Sequence, residues 1–94
     1  MSTPPRKAVA LRYDESRDQA PKVIAKGDRL LADRIIALAE ENGIVVQEDP
    51  DLVGLLAKLD VEAEIPESLY AAVAEVLAFV YRLNSRLGNA RRGK

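Results

Sequence analysis

The sequence predicts an α/β fold, a small mixed β-sheet packed against three helices in a single compact domain. Three observations carry that prediction. Residues 7–14 alternate with a period of two, residues 28–42 and 67–87 repeat apolar side chains at spacings of three and four, and short β-branched runs stand beside single glycines. At 94 residues, 48% of them hydrophobic, the chain is long enough to bury one core. Phe79, Tyr13, Tyr70 and Tyr81 are its only aromatic residues, so that core is aliphatic.

In KAVALRYD, Val9, Leu11 and Tyr13 alternate with Ala8, Ala10 and Arg12, the pattern of a strand with one better-buried face. The polar DESRDQAP that follows reads as a surface loop ending in proline. Lys22–Lys26, KVIAK, is β-branched and predicts a returning strand that Gly27 stops. Residues 28–42 predict a helix with Leu31, Ile35 and Leu38 on an inward stripe, flanked by Ile36 and Ala39. Asp28 stands at its capping position, and Gly43 stands where a left-handed C-terminal residue is wanted. Ile44–Gln47, IVVQ, then predicts a buried third strand.

Asp49-Pro50 opens a second helix, with Asp49 as cap, Pro50 in the first turn, Leu52, Leu55, Leu56 and Leu59 inward, and an end near Leu59. The acidic DVEAEI reads as a connector. From Pro66 a long helix carries Leu69, Val73, Val76, Val80, Leu83 and Leu87 and ends at Gly88. Its last turns have two readings, a helix laid across the sheet or a seam for a partner helix. The division is an arm over residues 1–6, a domain over 7–87 and a basic tail over 88–94.

Charge is segregated although the net value is only −1: residues 1–34 balance to +3, 35–75 to −9 and 76–94 to +5. Either the acidic middle lies against the basic ends, or separate faces meet separate partners. The tail Arg86, Arg91, Arg92 and Lys94 lacks interleaved aromatics, so no nucleic-acid partner is expected. With no Cys and no His, disulfides, thiolate zinc sites and the common nucleophile–base pairs are excluded. Glu40/Glu41, Asp49/Asp51 and Glu62/Glu64 stand at helix ends or in connectors, where acids are solvated or cap helices. Lys22 and Lys26 near Gly27 are the nearest thing to an anion site, and Asp28 occupies its place. No catalytic group, metal ligand or cofactor is predicted. No apolar run reaches the roughly 20 residues of a membrane span, and the first six residues lack a signal peptide's apolar region, so a cytoplasmic location is expected.

AVALRYD, QAPKVIAKGDRLLADRI and IPESLYAAVAEVLAFVYRL closely resemble the cytoplasmic C-terminal domain of the FlhB/YscU family, the substrate-specificity switch of flagellar and virulence type III export machines. The resemblance runs from about Thr3 to Leu83. In that family the domain follows a four-helix membrane portion and cuts itself at an Asn-Pro-Thr-His loop just before the AVAL strand. The asparagine side chain attacks its own carbonyl carbon, forming a succinimide. This sequence has Thr3-Pro4-Pro5-Arg6 at that place, so Pro4 matches but there is no carboxamide to cyclise and no histidine. Self-cleavage is expected to be absent.

The resemblance implies a free-standing, non-enzymatic counterpart of the fragment that full-length relatives release, peripheral to the inner-membrane export gate. The strand that precedes the loop in relatives is expected to be missing here, and its loss to leave a vacancy beside Val9 and Leu11. Either another chain adds a strand there, or the arm, its prolines and Arg12 blunt the edge. The resemblance also implies an apolar docking patch for export substrates or switch proteins at Ala20, Pro21, Ala74 and Leu77. As plain sequence Ala20 and Pro21 read as surface, whereas Ala74 and Leu77, at i and i+3 on a helix, read more readily as core than as docking site. The expected partners are a same-family export-gate protein, whole or truncated, and export substrates. The alternative is a cytosolic adaptor that binds substrates or chaperones away from the gate.

Overall fold

The computed structural model describes the backbone over residues 6–91. Strand β1 (Lys7–Arg12) pairs antiparallel with β2 (Lys22–Asp28), and the chain then forms helix α1 (Arg29–Glu41) and helix α2 (Pro50–Leu56). A single 3-10 turn, Glu67–Leu69, leads into the long α3 (Tyr70–Arg91). The predicted α/β class with three helices is what the structure contains, around a two-stranded antiparallel sheet.

The two faces of the hairpin differ because their side chains differ. Val9 and Leu11 face the cluster of Leu52, Leu56, Ile65 and Val73 contributed by α2, the approach to α3 and α3 itself. Val23 from β2 is fully buried. The opposite face is built from small residues, since Ala8 is opposite Gly27 and Ala10 is opposite Ala25. That lets α1 lie close, with Ala32 completely buried. A Cβ on Gly27 would come within 2.4 Å of Leu31 Cγ, so only glycine permits this seating.

Three expectations are corrected here. Ile44–Gln47 is not a strand: Ile44 is 61% exposed, and the run has no ladder partner among the described residues. Its first amide is already engaged, because Ile44 N–H donates to Ala39 O at 2.8 Å and Gly43 N–H to Glu40 O at 3.2 Å. With Gly43 at φ +70, these bonds form a Schellman close to α1. The run's far end leads directly into the Asp49 cap, whose Oδ1 accepts from Leu52 N–H at 3.1 Å. The third backbone segment beside the sheet is instead the acidic connector. Val23 N–H donates to Ala63 O (3.0 Å), Glu62 N–H to Val23 O (2.6 Å) and Ile65 N–H to Pro21 O (2.9 Å).

The second correction concerns α1. Leu38 does not face inward and Leu31 does so only in part, seated on Gly27 yet 52% exposed, because a sheet of two strands about 5 Å apart covers little beyond the line through Ala32. Nor does Asp28 cap the helix with its side chain; that carboxylate receives Lys7 Nζ at 3.2 Å. The third concerns element ends: β2 runs through Gly27 to Asp28, α2 stops at Leu56, short of Leu59, and α3 runs through Gly88 to Arg91.

Lys26 has a role that spacing does not reveal. Its Nζ donates to Ala57 O at 3.1 Å and Leu59 O at 2.7 Å, satisfying carbonyls left unpaired where α2 ends. Lys26→Met keeps the stem but orphans both oxygens. It is expected to cost about 1–2 kcal/mol and to lower the melting temperature by roughly 5–10 °C, as read by thermal circular dichroism.

Candidate functional site

An apolar groove of about 230 Å³ opens where the β1–β2 loop meets the first turns of α3. Tyr13, Gln19, Ala20 and Pro21 line it from the loop side, and Tyr70, Val73, Ala74 and Leu77 from the helix, with Ile65 between them. Ile65 and Val73 are buried members of the core, so the groove has a fixed floor. Tyr13, Tyr70 and Ala74 are exposed at its rim.

The loop wall is held by a compact ion-pair network. Arg12 donates through Nε to Asp18 Oδ2 (3.2 Å) and through Nη2 to Asp18 Oδ1 (3.0 Å). Asp14 N–H adds a third bond to Asp18 Oδ2 at 3.0 Å. The Asp18 side chain is only 3% exposed. Asp14 Oδ1 in turn accepts from the Ser16 hydroxyl (2.7 Å) and amide (3.0 Å), an Asx turn. The Arg12 hydrogen bond, then the Asp14 amide, holds the Asp18 carboxyl below the usual carboxylate range. The Ser16 hydroxyl, then its amide, does the same for Asp14.

Both carboxyls therefore bind protons less readily in the folded than in the unfolded chain. Their stabilisation is present above the unfolded value near 4 and is lost as pH falls through the folded values. The melting temperature is expected to be level from about pH 7 to 5 and to fall below about pH 4. Asp18→Asn should flatten that acid limb, and Asp18→Ala should lower the melting temperature at pH 7 more than Asp28→Ala, whose carboxylate makes only an exposed pair.

The structure brings together Ala20, Pro21, Ala74 and Leu77 in this one groove. Ala20 is not the surface residue the sequence suggested; it is 2% exposed, tucked into the wall. Ala74 is exposed, while Leu77 is half-buried and also packs on the core cluster, so both readings of Leu77 hold at once. Val9 and Leu11 lie apart from the groove, with side chains on the core. Sequence reasoning missed Tyr13, Gln19, Ile65, Tyr70 and Val73. The signal for the loop wall was the Arg12–Asp14–Ser16–Asp18 spacing inside a stretch read only as polar.

The backbone of Val9 and Leu11 is a separate feature. Arg29 N–H donates to Arg6 O at 2.8 Å, and antiparallel alternation from that bond points the peptide groups of Val9 away from β2. Val23, opposite Leu11, directs its own amide and carbonyl to the connector, which sets Leu11 the same way. Among the described residues these groups of Val9 and Leu11 have no backbone partner. Thr3, Pro4 and Pro5 lie outside the described residues. Arg6 is pinned at the start of α1, where its Nη1 stands 3.2 Å from Asp33 Oδ1.

This arrangement, a hairpin backed on one face by α1 and on the other by α2 and α3, superposes on solved C-terminal cytoplasmic domains of export switch proteins. The FlhB cytoplasmic domain from Shewanella putrefaciens superposes with a TM-score of 0.82 at 38% identity, over 88% of this chain and 65% of that one. The PscU C-terminal domain does so at 0.75 and 36% identity, over 81% and 98%. The model of the FlhB HrpN YscU SpaS family matches residues 2–80, and the chain belongs to that family. Among relatives, Bacillus subtilis YlqH, whose name describes it as uncharacterized, is 51% identical over 87 residues, 93% of this chain and 94% of that protein. Escherichia coli flagellar biosynthetic protein FlhB is 45% identical over 84 residues, 88% of this chain but 22% of its own length. The chain thus spans about a fifth of the FlhB relatives it matches. Among the described residues no helix is long and apolar enough to cross a membrane.

Proposed function

We propose that the chain is a non-enzymatic component of the flagellar or type III protein-export apparatus, acting as the counterpart of the export switch protein's post-cleavage C-terminal fragment. The observation that carries this reading is the convergence of Ala20, Pro21, Ala74 and Leu77 on one apolar groove with a rigid floor. Export substrates or switch proteins dock there by burying an apolar side chain against Val73 and Leu77 between the two tyrosines. The chain works in the cytoplasm, peripheral to the inner-membrane gate. The outward peptide groups of Val9 and Leu11 accept an added strand from a same-family gate protein.

The test is capture on the immobilised chain from separated membrane and cytoplasmic fractions, with bound proteins identified by mass spectrometry. Recovery of the gate protein from membranes supports the gate role. Recovery of substrates or chaperones from cytoplasm alone supports the adaptor reading. Thr3 offers no carboxamide, so the purified chain is expected to keep its intact mass over days at neutral pH; accumulation of a species beginning at Pro4 would contradict that.

A further inference from the structure

Helix α1 carries an apolar stripe that the described residues leave largely uncovered. Leu31 is 52% and Leu38 59% exposed, with half-buried Ile35 between them on the same side of the helix and exposed Ile44 just beyond its end. The stripe is a fixed surface, because Leu31 is seated on Gly27 and Ala32 is locked against the sheet. It lies on the opposite side of the hairpin from the groove.

The charges around it are ordered along the axis. Asp28 is neutralised by Lys7 and Asp33 by Arg6, leaving Arg34 flanking the stripe near its middle and Glu41 flanking it at the C-terminal end. Among the described residues neither Arg34 nor Glu41 has an ion-pair partner. The helix begins with Arg29 and no acidic residue in its first turn and ends in Glu40-Glu41 with no basic residue in its last, so the charges at both ends oppose its own dipole. An antiparallel copy of the same helix corrects each of these at once.

We propose that α1 is a homodimerisation surface on which two copies of this chain pack their α1 helices antiparallel about a two-fold axis near Ile36 and Ala37. That axis sets Ile35 against Leu38 of the second copy, twice by symmetry. It carries Leu31 over the second copy's helix end and brings Arg34 beside the second copy's Glu41. Opposed dipoles and two symmetric Arg–Glu contacts select the antiparallel arrangement over the parallel one, which aligns the dipoles and makes neither contact.

Sedimentation equilibrium of the full chain tests this. The expected result is a reversible monomer–dimer equilibrium with a dissociation constant on the order of 1–100 μM, above the 10.3 kDa monomer. Leu38→Asp should give a monomer throughout that range with an unchanged far-ultraviolet spectrum. Arg34→Glu should weaken the dimer about tenfold, and Arg34→Glu with Glu41→Arg should restore it to within about threefold. A wild-type chain monomeric at several hundred micromolar (on the order of the weakest specific contacts), a dimer that survives Leu38→Asp, or a charge swap no tighter than the single reversal would each overturn the proposal. Groove binding by the Leu38→Asp chain separates this result from the export reading, since Leu38 is remote from the groove.

Discussion

Ala74→Asp is expected to reduce capture of export proteins by at least about tenfold while leaving the fold intact. The side chain at position 74 is exposed at the groove rim, so the folded state absorbs the change at the cost of helix propensity alone, about 0.5 kcal/mol. A docked apolar group would instead have to strip water from the new carboxylate without supplying a hydrogen bond, which costs more than the contact gains. Leu77→Asp provides the contrast. Leu77 lines the same groove but also packs on the core cluster, so binding and melting temperature should fall together. Measuring capture and thermal unfolding on both variants checks the pair. Capture by Ala74→Asp at the wild-type level would show that partners bind elsewhere.

Leu56→Ala is expected to have the largest effect on stability. Leu56 is buried where α2 meets the underside of β1, in the cluster that also forms the groove floor through Ile65 and Val73. Truncation removes transfer energy and leaves a cavity, together about 2–5 kcal/mol, against a total of about 5–15 kcal/mol for a domain of this size. The melting temperature should fall by roughly 10 °C or more. Leu30→Ala, at a position largely in solvent on α1, should change it by no more than a few degrees (about 0.5 kcal/mol). Thermal denaturation of the two variants at low protein concentration decides this, and equal shifts would mean the core has been misplaced.

Local signals made much of the fold legible. Strand alternation at Val9 and Leu11, the Asp49-Pro50 start and the left-handed Gly43 each depend on a few neighbouring residues, and each is found in the structure. What failed depended on tertiary pairing. IVVQ has strand propensity, but its first amide closes α1, and the backbone partner of β2 is the acidic connector, which has no such propensity. The register of α1 was misjudged because the width of the sheet, not the hydrophobic period, decides which residues are covered. Within the groove, Ala20, Pro21, Ala74 and Leu77 came from the family resemblance rather than from periodicity. Tyr13 and Tyr70 became visible only once the loop and α3 were set side by side. Asp18 could be foreseen as polar, but not as the buried anchor of Arg12.

The export reading is tested most directly by complementation. A strain whose full-length FlhB relative lacks its C-terminal fragment is supplied with this chain, and exported protein is measured in the culture medium. The account predicts that the wild-type chain restores export and that Ala74→Asp, produced at the same level, does not. No restoration by the wild-type chain, or equal restoration by both, would contradict it.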